Sequence, residues 1–138
     1  MIKRLLLVAV FLGAMPAQAD SLQEILASAE RLPTDVARDA RSKPGAILPL
    51  LELNAGDSVA DIFAGGGYYS EILSRAMGPD ATVYLHNNQA YLNFAGEALE
   101  ARLANGRLPR VVRYDRELDA IDLADDSVDL VLMVMTYH

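Results

Sequence analysis

The feature that most constrains this chain is a short apolar run, residues 58–63, leading directly into Ala64-Gly65-Gly66-Gly67 and then into a helical pattern over 68–77. A strand, a glycine-rich bend and a helix in that order form the opening unit of a parallel sheet with crossover helices. The rest of the chain repeats the alternation. Residues 82–86 predict a second strand, and 90–105 a helix with Tyr91, Phe94, Ala95, Ala98, Leu99 and Leu103 turned inward. Residues 110–114 predict a third strand, and the acidic stretch 115–126 a loop or short helix. Residues 128–136, almost continuously apolar, predict a fourth strand covered on both faces. Parallel strands joined by right-handed crossovers follow from this spacing, so the fold class is α/β.

Ahead of this unit, residues 20–53 read as a helical segment. Ser21 and Glu24 have the spacing of a capping box, and Ile25, Leu26, Ala29 and Leu32 follow at helical intervals up to Pro33. Thr34 predicts the cap of a second short helix ending before Pro44. Residues 45–53 predict another turn or two around Pro49, and residues 54–57 a turn. The first 19 residues are of another kind. Lys3 and Arg4 precede an apolar run over 5–15, Pro16 breaks it, and Ala17 and Ala19 precede Asp20. These are the parts of a cleavable secretory signal, so a periplasmic or secreted location is expected, with cleavage after Ala19. The run is short of the roughly 20 residues that span a bilayer, so no stable membrane anchor is expected.

Charge and composition narrow the function classes. Against 12 Lys+Arg stand 19 Asp+Glu, a formal net charge of −7, and the expected cleavage removes two bases and no acid. Such a balance opposes broad binding to a phosphate backbone, so no nucleic-acid partner is expected. The absence of cysteine excludes disulfides, thiolate nucleophiles and zinc–thiolate sites. His86 and His138 are the two histidines, which argues against a metal centre or a Ser-His-Asp hydrolase.

The chemistry concentrates at residues 59–70. Bare backbone after a strand lets a ligand approach where a side chain would block it. A dinucleotide would place its pyrophosphate at the helix N-terminus, and Gly65-x-Gly67-x-x-Ser70 nearly matches that pattern. S-adenosylmethionine instead carries a sulfonium and an ammonium; a carboxylate at the strand end complements those cations and would oppose a pyrophosphate. Asp61 occupies that place and favours the methyl donor. A glycine turn that binds nothing is the third reading.

Asp61-x-Phe63-x-Gly65-x-Gly67 resembles the first motif of class I S-adenosylmethionine-dependent methyltransferases, whose usual form is acid-x-Gly-x-Gly-x-Gly. More narrowly, residues 38–138 resemble a family of predicted exported bacterial methyltransferases. The stretches that carry this resemblance are Arg38-Asp39-Ala40-Arg41-Ser-Lys43-Pro44, the segment from Asp61 to Glu71, Val83-Tyr-Leu-His-Asn87-Asn88, and Thr136-Tyr137-His138. The resemblance implies a Rossmann-like sheet flanked by helices. It implies that Asp61 with Gly65 and Gly67 holds the methionine part of the donor, and that Phe63, Ala64 and Gly66 belong to the same donor-binding loop. Asn87 stands where an acid usually meets the ribose, and Asp115 where the adenine is usually contacted. Asp129, which opens the fourth strand, is as readily structural. Phe63 departs from the usual glycine, so the loop must turn differently or bring an aromatic ring to the ligand.

Family members continue through three further strands, so the resemblance implies an incomplete sheet of about four strands: residues 54–138 would form the donor-binding half of a domain. An open fourth-strand edge would then favour self-association. Tyr137 and His138 follow that strand and are candidates for positioning the acceptor or removing its proton. The function expected is methyl transfer from S-adenosylmethionine to an unidentified acceptor. The alternatives are an NAD-type oxidoreductase fragment and a catalytically inactive binding module.

Overall fold

The computed structural model describes residues 20–134; the signal expected over 1–19 and the pair Tyr137 and His138 lie outside the described residues. Four parallel strands form one sheet in the order β3-β2-β1-β4, with β1 Ser58–Ile62, β2 Thr82–Asn87, β3 Val111–Asp115 and β4 Leu130–Leu132. Val59, Val83, Val111 and Leu130 stand side by side, as do Asp61, Leu85, Arg113 and Leu132. Side chains alternate across a strand, so these two rows share one face of the sheet.

Helix α4, Tyr68–Ala76, lies against that face and buries Ile72 and Leu73 with Met77 upon Val59, Val83 and Leu132. Helix α5, Gln89–Leu103, follows β2 and is capped by Asn88, whose side chain accepts from the Tyr91 amide at 3.0 Å. The N-terminal segment packs on α4. Its helices are α1 Leu22–Ala27, α2 Pro33–Ser42 and α3 Pro44–Ile47, followed by a 3-10 turn at Leu48–Leu51. The Ser21–Glu24 capping box is present in full.

Three expectations change. Helix α1 stops at Ala27, well before Leu32, because the Arg31 guanidinium turns back to donate to the Leu26 carbonyl at 2.9 Å. Helix α2 begins at Pro33 rather than at a Thr34 cap; proline's fixed φ and missing N–H suit the first helical position. The fourth strand is also shorter than residues 128–136, and it is not covered on both faces. Leu132 is buried, whereas Val131 and Met133 are 58% and 54% exposed. Val131 shares its face with Ala60, Tyr84 and Val112, and Val112 is also exposed, so the apolar run marks a strand with one face open. Asp129 is structural. It donates its amide to the Ser58 carbonyl at 2.7 Å and takes the Ser58 amide at 2.8 Å, which aligns the starts of β1 and β4. Among the described residues no helix is long and apolar enough to cross a membrane.

Candidate functional site

The glycine loop leaves β1 at the point where the sheet order reverses, with β2 on one side and β4 on the other. Open α/β sheets bind ligands at such a crevice, outside the carboxyl ends of the strands. Phe63 opens the loop at φ 56°, the left-handed conformation that a glycine adopts freely. The strand-side contacts hold it there. The Phe63 amide donates to Nδ1 of His86 at 3.4 Å, and Ala64 donates to the His86 carbonyl at 2.9 Å. His86 is fully buried, and its Nε2 lies 2.9 Å from the Arg116 carbonyl, which fixes the proton on Nε2. This histidine is a strut.

Gly65 is gripped from β2. Its amide donates to Oδ1 of Asn87 at 2.8 Å, and Nδ2 of Asn87 donates to its carbonyl at 2.9 Å. Gly67 caps α4 at φ 82°, where a Cβ would come within 2.7 Å of Leu85 Cδ1. Only glycine fits that point without displacing its neighbours. On the far side, Nε of Arg102 donates to the Gly66 carbonyl. The same guanidinium bonds Asp35 at 2.7 Å and Glu71 at 2.5 Å, and Arg107 adds 2.7 Å contacts to both Glu71 oxygens. Burial alone would raise the Glu71 pKa, but the Arg107 and Arg102 guanidiniums outweigh it and hold the carboxyl below its ordinary value. Helices α2, α4 and α5 are thereby tied to the back of the loop by one buried ionic cluster.

The loop forms one wall of an open cleft of about 380 Å³ lined by Phe63, Ala64, Gly65, Gly66, Arg38, Arg41, Tyr91, Phe94, Ala95 and Val134. Phe63 stacks on Tyr91 with ring centroids 4.7 Å apart, and Phe94 continues the row at 5.1 Å from Tyr91. The inward face expected for α5 is corrected here: Ala95 and Leu99 are buried, but Phe94 is 73% exposed and Ala98 is exposed too. The helix turns part of its apolar surface to the cleft instead of the core. A second, adjoining cleft of about 250 Å³ lies at the ends of β2 and β3, between Asn87, Asp115 and Glu117. Asp115 takes Nε of Arg113 on one oxygen at 2.5 Å, while its other oxygen is buried without a partner.

The structure therefore brings Phe63, Ala64, Gly65 and Gly66 together, sets Asn87 and Asp115 in the neighbouring cleft, and separates two of the expected residues from both. Gly67 turns back toward Leu85. Asp61 lies beneath α4, 3% exposed, where it accepts the Ser70 hydroxyl at 2.6 Å. Its strand position has the parity of Val59, so the carboxylate faces the helix layer and does not line the cleft. Burial pushes its pKa up to about 6, against the pull of the Ser70 bonds and of Arg38. Asn87, fully buried, spends its amide on Gly65. Arg38, Arg41 and Tyr91 line the cleft although the sequence motifs do not mark them as site residues. The available signals are the place of both arginines in the 38–44 stretch that carries the resemblance and their spacing, three apart on one helical face. Among the described residues no cluster of His, Asp and Glu could hold a metal ion.

No protein-family model matches the sequence, and no curated protein matches it. Solved structures do resemble the fold. A SAM-dependent methyltransferase from Aquifex aeolicus superposes over 83% of this chain at 25% identity, with a TM-score of 0.59. A SAM-dependent O-methyltransferase from Thermotoga maritima superposes over the same share at 22% identity and a TM-score of 0.54. The chain spans 56% and 40% of those two structures, respectively. The fold is thus the Rossmann-like α/β sheet of methyltransferases, four parallel strands with flanking helices.

Proposed function

We propose that this chain is the donor-binding part of an S-adenosylmethionine-dependent methyltransferase. The carrying observation is the glycine loop at the β1/β4 switch point of a sheet that matches the Aquifex methyltransferase. The residues present fit the donor. The larger cleft lies in the size range of small-molecule sites, and Phe63, Tyr91 and Phe94 give it an aromatic lining. In the neighbouring cleft, the unused buried oxygen of Asp115 seeks a donor such as an amino or hydroxyl group.

When bound, S-adenosylmethionine supplies a methyl group on a sulfonium, activated toward substitution by a nucleophile in line with the carbon–sulfur bond. The chain's contribution is then positional, because such a step is accelerated by holding the reacting atoms in line. Asn87 and Arg102 hold the loop from opposite sides, so its bare backbone faces the ligand in one conformation. The acceptor belongs to the same proposal as an unidentified nucleophile. Export through the signal read over 1–19 is proposed with it and is tested by the mass of the mature N-terminus, expected at Asp20.

Calorimetric titration with S-adenosylhomocysteine, the demethylated product, tests the reading. The result expected is saturable one-to-one binding with none for NAD. Binding of NAD without S-adenosylhomocysteine would overturn it.

A further inference from the structure

The sign of the charge in the main cleft is opposite to that of the chain. The net charge is −7, and among the described residues Arg31, Arg75, Arg102, Arg107, Arg113 and Arg116 all pair with carboxylates. Arg38 and Arg41 make no such pair among those residues, and both line the cleft beside Gly65 and Gly66. They lie three residues apart on α2, on the same side of the helix.

Their placement is built into the fold. Asp39, between them, is turned away and held by Arg31 at 2.6 Å and by the Tyr68 hydroxyl at 2.5 Å. The Tyr69 hydroxyl bonds the Ser42 carbonyl at 3.0 Å, and Asp35 bonds Arg102, so α2 is fixed along its length. The Arg38 guanidinium lies 4.3 Å above the Tyr68 ring, and its Nε donates to Ser42 Oγ at 3.0 Å. That contact uses one edge of the fork and leaves the terminal N–H groups for another acceptor. Two cations held in one cleft with unused donors call for an anion, and the planar fork matches a carboxylate or phosphate.

We propose that Arg38 and Arg41 form the seat of the donor's α-carboxylate, an inference that rests on the methyltransferase reading. The donor has one anionic group, at the end of its amino-acid chain. Two arginines that capture this end repel the sulfonium from their own side of the cleft, so the pair orients the donor as well as binding it.

The test compares S-adenosylhomocysteine with its decarboxylated analogue, which keeps the nucleoside, the thioether and the ammonium. It uses the full chain and the Arg41→Gln and Arg38→Lys variants. Arg41 is exposed and makes no hydrogen bond among the described residues; its substitution removes only a last-turn charge of α2 and is expected to lower the melting temperature slightly at most. The wild type is expected to prefer S-adenosylhomocysteine by about tenfold, the effect of one charge-assisted contact. Arg41→Gln is expected to remove most of that preference while leaving the analogue's affinity within about twofold. Arg38→Lys, which keeps the charge and loses the fork, is expected to fall between. Equal affinities for the two ligands in the wild type, or equal losses in the variant, overturn the carboxylate seat and leave the methyltransferase reading standing. Binding of NAD alone, weakened by Arg41→Gln, overturns both and assigns the arginines to a pyrophosphate.

Discussion

Asn87 holds Gly65 by both ends of its amide, accepting from the Gly65 N–H at 2.8 Å and donating to the Gly65 carbonyl at 2.9 Å. The strand end and the loop are thereby locked in register by a side chain with no exposed surface. Asn87→Ala removes both hydrogen bonds to the part-buried Gly65 backbone and is expected to cost about 1–3 kcal/mol in urea unfolding, given roughly 0.5–1.5 for each bond. Asn87→Asp keeps one bond but sets a carboxylate against the carbonyl. Its destabilisation should shrink as the pH falls and the carboxyl gains a proton, and a pH series of melting temperatures checks this.

Asp61 carries its own pH signature. With its pKa pushed up to about 6 by burial, the folded chain holds a proton there more tightly than the unfolded chain does. The contribution to stability is full below about pH 4 and is lost as the pH rises through about 6. The loss amounts to about 3 kcal/mol at pH 8, because each tenfold difference in proton affinity between the folded and unfolded chain is worth about 1.4. Asp61→Asn keeps an acceptor for Ser70 and removes the charge. It should flatten the melting-temperature profile between about pH 5 and 8 and raise stability at the alkaline end.

Gly67 tests the geometry of the loop. Gly67→Ala combines a left-handed φ of 82° with a Cβ 2.7 Å from Leu85 Cδ1. The expected destabilisation is about 2–4 kcal/mol, the sum of a strained backbone and a local overpacking. Gly66→Ala, whose Cβ would meet Ala98 at an ordinary 3.5 Å, should cost far less. The contrast between the two by thermal unfolding is the measurement.

Arg102 tests the ionic cluster behind the loop. Arg102→Met strands Asp35 and part of Glu71 as buried, uncompensated carboxylates and should cost about 3–5 kcal/mol. Because Arg102 also holds the Gly66 carbonyl, donor affinity should fall further than in a variant of equal instability elsewhere. Calorimetry well below the melting temperature separates the two effects.

These residues show which parts of the molecule can be read in the chain. Strands β1 to β3 were legible because short apolar runs end in Gly, Asn or Asp turns, and strand and helix alternate at a regular spacing. The strand-end position of Asp61 points to a ligand, whereas side-chain parity, equally present in the sequence, puts it under α4 with Val59. Phe94 follows helical spacing as a core residue would, since periodicity cannot distinguish a cleft wall from a core. The Asp35–Arg102 contact joins residues 67 positions apart, and nothing local encodes it. The open face beside Val131 likewise depends on what packs against the sheet, which an apolar run does not state.

The central claim is that the Phe63–Gly66 backbone faces the methyl donor. Amide chemical shifts of the isotopically labelled chain, followed during titration with S-adenosylhomocysteine, test it most directly. Saturable shifts centred on Phe63, Ala64, Gly65, Gly66 and Tyr91 are predicted, with NAD producing none. Shifts confined to residues outside both clefts, or produced by NAD in place of S-adenosylhomocysteine, would contradict it.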